Sequence, residues 1–320
     1  MTATPATGAP HDVLVVGGTG VDTIVRVDEL ALPAGDSVAV PPIRDYPAHT
    51  GNGVALGFHA LGLRTKFIDF LGDDAQGRLI LDRYAAAGLD FGHLPAPAGT
   101  PRSVNLVDRA GRRFSFFDGR HPEGLRLPRD FTLPHVEHAR HIHVSRSPVG
   151  QDVFDQAAVL GRTVSTDLHA WDGRDPSAHP WAYAADLVFL SAAAVGDGIA
   201  DVMRDILGRG RASLVVATDG AAGCHVLRRG ENRPRSFPAV VPERPVVDSN
   251  GAGDAFVTAF LHARFAGAGI ERSVLAGSVS GAYACGSPGT HEEVISAQAL
   301  AAAVERARWA EPVPPRTTAS

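Results

Sequence analysis

A chain of 320 residues with a formal net charge of −5 is long enough to bury roughly three-quarters of its unfolded surface in one large core, with no need of disulfide staples. Its two cysteines, Cys224 and Cys285, stand far apart without paired spacing, which fits a reducing compartment. The acidic balance argues against nucleic acid, the apolar runs are strand-sized rather than membrane-spanning, and no basic-then-apolar leader is seen, so a cytoplasmic protein is expected.

Residues 1–11 and 311–320, rich in Pro, Thr, Ser and Ala, read as frayed tails around a domain spanning 12–310. The run VLVVGG at 13–18 is a buried strand. Residues 53–63 fit a helix packed behind it, 65–70 the next strand, and 77–87 a second helix ending at Gly88. Strand-like runs at 141–145, 163–167, 187–191 and 214–220 each neighbour a helix-like stretch. That alternation predicts an α/β fold with a mostly parallel central sheet and helices on both faces. Two regions break the rhythm. Residues 23–27 with 37–43, and 103–108 with 113–117, have strand composition and no helix between them; a turn around Gly111 joins the second pair. These four runs predict a small β-sheet lid contributed by about 23–46 and 101–118.

The stretch Val246-Val-Asp248-Ser-Asn250-Gly251-Ala252-Gly253-Asp254-Ala-Phe256 carries the chemistry. A strand is expected to run into the Gly-Ala-Gly turn, with a helix over 255–265. Small residues let backbone N–H groups converge on an anion, and the helix dipole adds favourable potential there. Asp254, in the first turn, is placed to accept a proton from an attacking hydroxyl. Phosphoryl transfer needs little beyond positioning and charge stabilisation. A lone G-x-G would more simply be a helix start with a dipole-matched aspartate; eleven residues in this order favour the functional reading.

Asp248-Ser-Asn-Gly-Ala-Gly-Asp254-Ala-Phe resembles the C-terminal signature D-T-x-G-A-G-D-x-F of the ribokinase/phosphofructokinase-B family of carbohydrate kinases. The resemblance implies a ribokinase-like three-layer α/β/α fold and ATP-dependent phosphorylation of a sugar, polyol or nucleoside hydroxyl. In that reading Asp254 is the base and Gly251, Ala252 and Gly253 form the anion hole. It also implies Mg2+ with the ATP, and K+ near Asp248, Asn250 and Gly289. Gly17-Gly-Thr-Gly20-Val-Asp22 resembles the segment whose aspartate holds substrate hydroxyls, which a carboxylate does by accepting two hydrogen bonds. Gly51 and Asn52 stand where the family's G-G-x-x-x-N turn would add substrate contacts. Thr218-Asp-Gly220-Ala-Ala-Gly223 resembles the T-x-G-x-x-G nucleotide loop, with Gly253 and Ser191 beside it. Ser287-Pro-Gly289-Thr290 resembles the loop near the cation and adenine. Gly72-Asp-Asp74-Ala-Gln-Gly77 resembles a G-x-D-x-x-G turn whose role is structural. A lid-to-lid homodimer is a plausible assembly through the exposed lid strands.

Several positions depart from the pattern. Residues 48–53 read Ala-His-Thr-Gly-Asn-Gly, and Asn52 is expected to take over a sugar-facing polar role. Ser191-Ala-Ala-Ala194 stands where an N-x-x-E motif should organise metal-bound water, which weakens the water shell of Mg2+ without removing the ATP-bound ion. Ser145-Arg146-Ser147 lacks an acidic residue, which speaks against plain ribose. Asp167-Leu-His169-Ala-Trp171-Asp172 replaces a D-x-N-x-R segment. His169 and Trp171 could stack on a sugar or base, and Arg102, Arg112, Arg113 and Arg146 could grip a phosphate on the substrate, since arginine binds phosphate bidentately; core packing and surface solvation are the plainer fates. His141 and His143 alternate on one strand face, where a structural role is expected. A dinucleotide-binding oxidoreductase is excluded because the third G-x-G-x-x-G position, counted from Gly18, is Thr23, and no P-loop occurs. The remaining alternative is a non-catalytic sugar or nucleotide sensor that keeps the kinase fold.

Overall fold

The structure, a computed structural model, describes residues 11–31, 35–109 and 111–311. The tails 1–10 and 312–320 lie outside the described residues. The chain opens with β1 (His11–Val16), β2 (Gly20–Arg26), β3 (Arg44–Ala48), α1 (Thr50–Ala60), β4 (Thr65–Leu71), α2 (Ala75–Ala87) and β5 (Asp90–Pro95). It continues through β6 (Arg102–Val107), β7 (Arg113–Asp118), α3 (Arg129–His138), β8 (Ala139–Val144), α4 (Val153–Val159), β9 (Thr163–Asp167) and α5 (His179–Ala184). The last third holds β10 (Leu187–Ser191), α6 (Ile199–Arg209), β11 (Leu214–Thr218), β12 (Cys224–Arg228), β13 (Arg235–Phe237), α7 (Ala252–Phe265), α8 (Ile270–Ala284) and α9 (Ala297–Arg306).

Among the described residues nine strands form one sheet in the order β13-β12-β11-β10-β9-β8-β1-β4-β5, parallel from β11 to β5. The period-2 alternation of a strand sends Val13 and Val15 to one face and Leu14 and Val16 to the other. Val13 and Val15 pack with Phe58 of α1, Tyr84 of α2, Phe260 of α7 and Val274 of α8. Leu14 and Val16 pack with Val136 of α3, Trp181 of α5 and Met203 and Ile206 of α6. Three layers result, as expected. The sequence reading missed β5 and the antiparallel strands β12 and β13, and it expected a strand before the Gly-Ala-Gly turn. Residues 245–249 are irregular instead, pinned by Val247 and Asp248 N–H groups donating to the Cys285 carbonyl.

The second sheet runs β3-β2-β6-β7. Its strands fall near the expected lid segments with one correction: residues 37–43 are not a strand, because Pro41 and Pro42 lack the N–H donors a ladder needs, and the strand starts at Arg44. The hairpin turn works as expected, with Gly111 at φ 76° and its N–H donating to the Asp108 carbonyl. Tyr46, Asp22, Ser103 and Phe117 lie opposite one another across the four strands. One face of this sheet therefore presents them as a row.

His141 and His143 are buried beneath that architecture. His141 contacts the hydroxyls of Thr163 (3.0 Å) and Ser165 (2.8 Å), and His143 contacts Ser165 (2.9 Å). Burial lowers both to about 3, far below the usual imidazole range. A folded-state value below the unfolded one gives stability that is present above about pH 6.5 and lost as the pH falls towards 3, because the unfolded chain then takes up protons the folded one refuses. Thermal denaturation should show the melting temperature dropping from pH 7 to pH 5. In His143→Gln that dependence should be shallower, by about 1.4 kcal/mol per pH unit.

Candidate active site

The order of strands reverses between β8 and β1, so their carboxyl ends open a crevice, the usual ligand position in a doubly wound sheet. The chain leaves β1 through Gly17 and Gly18, both at positive φ. The buried Asp69 holds this turn by accepting from the Thr19 N–H at 2.8 Å; burial raises its carboxyl to about 7. Helix α1 starts against the same turn. The Asn52 N–H donates to the Gly18 carbonyl, and a Cβ on Gly51 would lie 2.0 Å from the Gly17 oxygen, so only glycine permits the approach. Asp74 caps α2, accepting from the N–H groups of Gly77 and Thr100 at 2.8 Å each, which is the structural role expected of that turn.

Asp254 lies in the first turn of α7, after Gly251 at φ 75°. Its Oδ2 is 2.7 Å from Nε2 of His291, and Nδ1 of the same ring is 2.9 Å from the Asn52 amide nitrogen. That amide also donates to the Pro47 carbonyl at 3.1 Å. The amide nitrogen is thereby the donor to Nδ1, so Nε2 carries the hydrogen and donates to Asp254. The ring has a slot cut for it: a Cβ on Gly53 would lie 2.2 Å from Nε2, and one on Gly251 2.6 Å from Cδ2. Asn52 is fully buried, with its amide nitrogen committed to Pro47 and His291 and its Oδ1 buried without a partner among the described residues, and Gly51 faces Gly17. The sugar-facing role expected of Asn52 is therefore corrected to one behind the site.

Asp22 is 6% exposed, accepts from the Thr290 hydroxyl at 3.2 Å and lies 3.6 Å from Nε2 of His49. Burial lowers the His49 pKa, with Asp22 opposing and His291, His169 and His121 adding to the effect, so several imidazoles share this corner. The expected cation site does not fit a free ion. Asp248 Oδ2 accepts from the Arg26 guanidinium at 2.9 Å, Asp248 Oδ1 accepts from the Asn250 N–H, and Asn250 Oδ1 accepts from Arg113 at 2.6 Å. Gly289 N–H also points at Asp248, at 3.4 Å. The oxygens that K+ would need are already turned towards two guanidinium groups of the small sheet.

Residues 10–297 match the pfkB family of carbohydrate kinases. The chain belongs to that family. It is 52% identical over 290 residues to the acarbose 7(IV)-phosphotransferase of an Actinoplanes species, covering 90% of this chain and 97% of that protein. A nucleoside kinase of Methanothermobacter thermautotrophicus is 25% identical over 277 residues, covering 82% of this chain and 85% of the relative. The solved structure of the microbiome-derived acarbose kinase Mak1 superposes with a TM-score of 0.86 at 46% identity, covering 93% of this chain and 100% of that one. Arabidopsis thaliana ribokinase, complexed with ribose and ATP, gives a TM-score of 0.75 at 19% identity, with 93% and 99% covered, and shows the shared ribokinase fold. The protein is a carbohydrate kinase, a phosphotransferase with an alcohol as acceptor.

In this pfkB kinase the ends of β9, β10 and β11 carry further sequence-predicted residues. Ser191 and Thr218 are register partners at the ends of β10 and β11, followed by Gly220 at φ 52° and Gly223 at φ 103°. Ser191 accepts from the Ala193 N–H and so caps a short turn. Asp167 ends β9; burial raises its pKa, His169 offsets part of that, and the charge of Asp254 adds to it, which places the two carboxylates in one field. His169 reaches Thr50 at 3.3 Å, but Trp171 is buried in the core with its indole N–H on the Asp175 carbonyl, so the two do not form a stacking pair. Arg112 pairs with Asp108, Arg113 with Asn250 and Arg146 with Asp175, which takes three of the four candidate phosphate-gripping arginines.

Sequence reasoning missed His291, His49 and Arg26. The available signal was indirect: Gly53, an unexplained glycine inside a helix, marks the space that His291 fills. Gly53→Ala should push the imidazole off Asp254. A crystal structure of the variant is expected to show Nε2 and Oδ2 beyond hydrogen-bond range, and an unmoved ring would contradict the packing.

Proposed function

We propose that this kinase transfers the γ-phosphate of ATP to a hydroxyl of a multi-ring, sugar-like acceptor, with Asp254 as general base. The observation that carries the reading is the placement of Asp254: first turn of α7, only partly buried, beside the Gly251-Ala252-Gly253 turn and close enough to Asp167 at the end of β9 for the two charges to interact. Asp254 takes the proton of the acceptor hydroxyl, whose oxygen bonds to the γ-phosphorus as the bond to the ADP oxygen breaks. The products are the phosphorylated acceptor, ADP and a proton on Asp254. The N–H groups of Gly251 and Gly253, at the positive end of the α7 dipole, stabilise the charge on the moving phosphoryl group, while the Ala252 N–H donates to the Ser249 carbonyl at 3.3 Å.

ATP lies over the strand ends, with Thr218, Gly220, Gly223, Gly253 and Ser191 around it, and Asp22 accepts hydroxyl hydrogen bonds from the sugar. Among the described residues no group of three or more His, Cys, Asp or Glu could hold a metal ion. Mg2+ would then ride on the ATP phosphates, where it neutralises charge, and not in a side-chain cage. Dependence on ATP fits a cytoplasmic setting, and among the described residues no helix is long and apolar enough to cross a membrane.

The acceptor class rests on the relative at 52% identity: its name places the accepting oxygen at position 7 of a ring numbered IV, hence on a multi-ring molecule. The lid supports this. Beyond Asp22 and Ser103 the row ends in Phe117, whose ring is 69% exposed and lies 5.6 Å from that of His49, a surface on which the C–H face of a sugar ring can rest. The small sheet acts as a lid that excludes water from the transfer. Phe114 and Phe116, exposed on the opposite side of the edge strand β7, support a homodimer through the lid. The intact aspartate and turn leave the sensor alternative without support.

Asp254→Asn should lower kcat by at least about 10²-fold, the lower range for loss of a general base, with ATP affinity kept. Steady-state ADP release checks the first and titration with ATP the second; near-normal turnover in the variant would refute the assignment. Because Arg26 supplies the positive charge at Asp248, initial rates should be equal in potassium-only and sodium-only buffers. Clear stimulation by potassium would mean that the guanidinium leaves that carboxylate during turnover.

A further inference from the structure

Asp254 lies against an imidazole, and this contact is constrained from more sides than a chance neighbour would be. His291 adopts φ 60°, a left-handed backbone conformation that is uncommon for a residue with a Cβ. The loop that holds it there is braced from outside, with the Arg83 guanidinium donating to the carbonyls of His291 and Glu292. On one side of the ring is Gly53 of α1 and on another Gly251 of the anion-hole turn, each leaving space that a methyl group would fill. Behind it, Asn52 fixes Nδ1 as an acceptor and is itself anchored to Pro47. The residue before it, Thr290, binds Asp22, so one dipeptide touches both carboxylates to which the kinase reading gives a role.

We propose that His291 is the positioning residue for the general base. Its neutral imidazole donates Nε2–H to Oδ2 of Asp254, fixes the rotation of the carboxylate and presents the second oxygen to the acceptor hydroxyl. Asn52 acts one step further back by setting the tautomer. The imidazole does not receive the acceptor's proton: Nε2 already carries a hydrogen and Nδ1 is occupied by the Asn52 amide. The proton taken from the hydroxyl therefore stays on Asp254 until the phosphorylated product leaves. This inference rests on the reading of Asp254 as base and adds what holds it.

The experiment compares His291→Leu, His291→Gln, Asp254→Asn and the double variant Asp254→Asn with His291→Leu, measuring kcat and KM for ATP and for acarbose as acceptor. His291→Leu should lower kcat by about tenfold to a hundredfold, the scale for a misplaced reacting group, with KM for ATP little changed. His291→Gln, which can donate an N–H but cannot titrate near neutrality, should recover most of that loss. In the double variant, removing His291 should cost no more than Asp254→Asn alone, because a residue acting only through the carboxylate has nothing left to position. Wild-type kcat in His291→Leu overturns the inference, as does a Gln variant as slow as Leu, which would make the imidazole a proton carrier. A further loss in the double variant overturns it too, by showing a role independent of Asp254. If Asp254→Asn itself turns over normally, the functional reading fails first, whatever the His291 variants do.

Discussion

The carboxylate at the start of α7 and the imidazole that holds it set the geometry on which the rest of the site depends. A base in phosphoryl transfer must meet an incoming hydroxyl within a few tenths of an ångström, and a free aspartate side chain rotates too readily to do so. Here the rotation is restricted by the 2.7 Å contact to His291. The imidazole is in turn confined by two glycines that come from opposite ends of the chain, Gly53 and Gly251. Packing α1 against α7 on one face of the sheet brings these together, so the accuracy of the site derives from the hydrophobic layer beneath it.

The small sheet is bound into the same arrangement. Arg26 at the end of β2 and Arg113 at the start of β7 reach Asp248 and Asn250, the residues just before the Gly251-Ala252-Gly253 turn. Asp22, also on β2, meets Thr290 beside His291. The small sheet is therefore tied both to the residues before the Gly251-Ala252-Gly253 turn and, through Asp22, to the segment that carries His291. Arginine suits that connection better than a bound ion would, since a guanidinium is always charged and its fork directs hydrogen bonds as well as charge.

The departures from the family pattern acquire physical reasons at this point. The glycine at position 53, inside a helix where it lowers helix propensity, clears space for the ring. Ser145, in place of an acidic residue, stands close to Gly18, where an added Cβ would lie 2.9 Å from it, so a larger side chain would press on the β1 turn. The loss of the N-x-x-E motif leaves Ser191 as a cap for its own turn. Its partner across the sheet, Thr218, keeps the small polar strand end that a triphosphate can approach.

By itself the sequence determined the layered α/β architecture, three of the four strands of the small sheet and the family signature around Asp254, because periodicity, glycine turns and an eleven-residue motif are local patterns. Strands β5, β12 and β13 escaped it, since their pairing at the two ends of the sheet depends on neighbours elsewhere in the chain, and the late start of β3 was overlooked although Pro41 and Pro42 are a local signal. The partners of the named residues escaped it for the same reason. His291 is 37 residues from Asp254 and 239 from Asn52, and Arg26 is 222 from Asp248. No spacing rule links positions that far apart. Only the packing of α1, α7 and the small sheet around one crevice decided that an imidazole would lie against Asp254 and that a guanidinium would stand beside Asp248, where a potassium ion was expected.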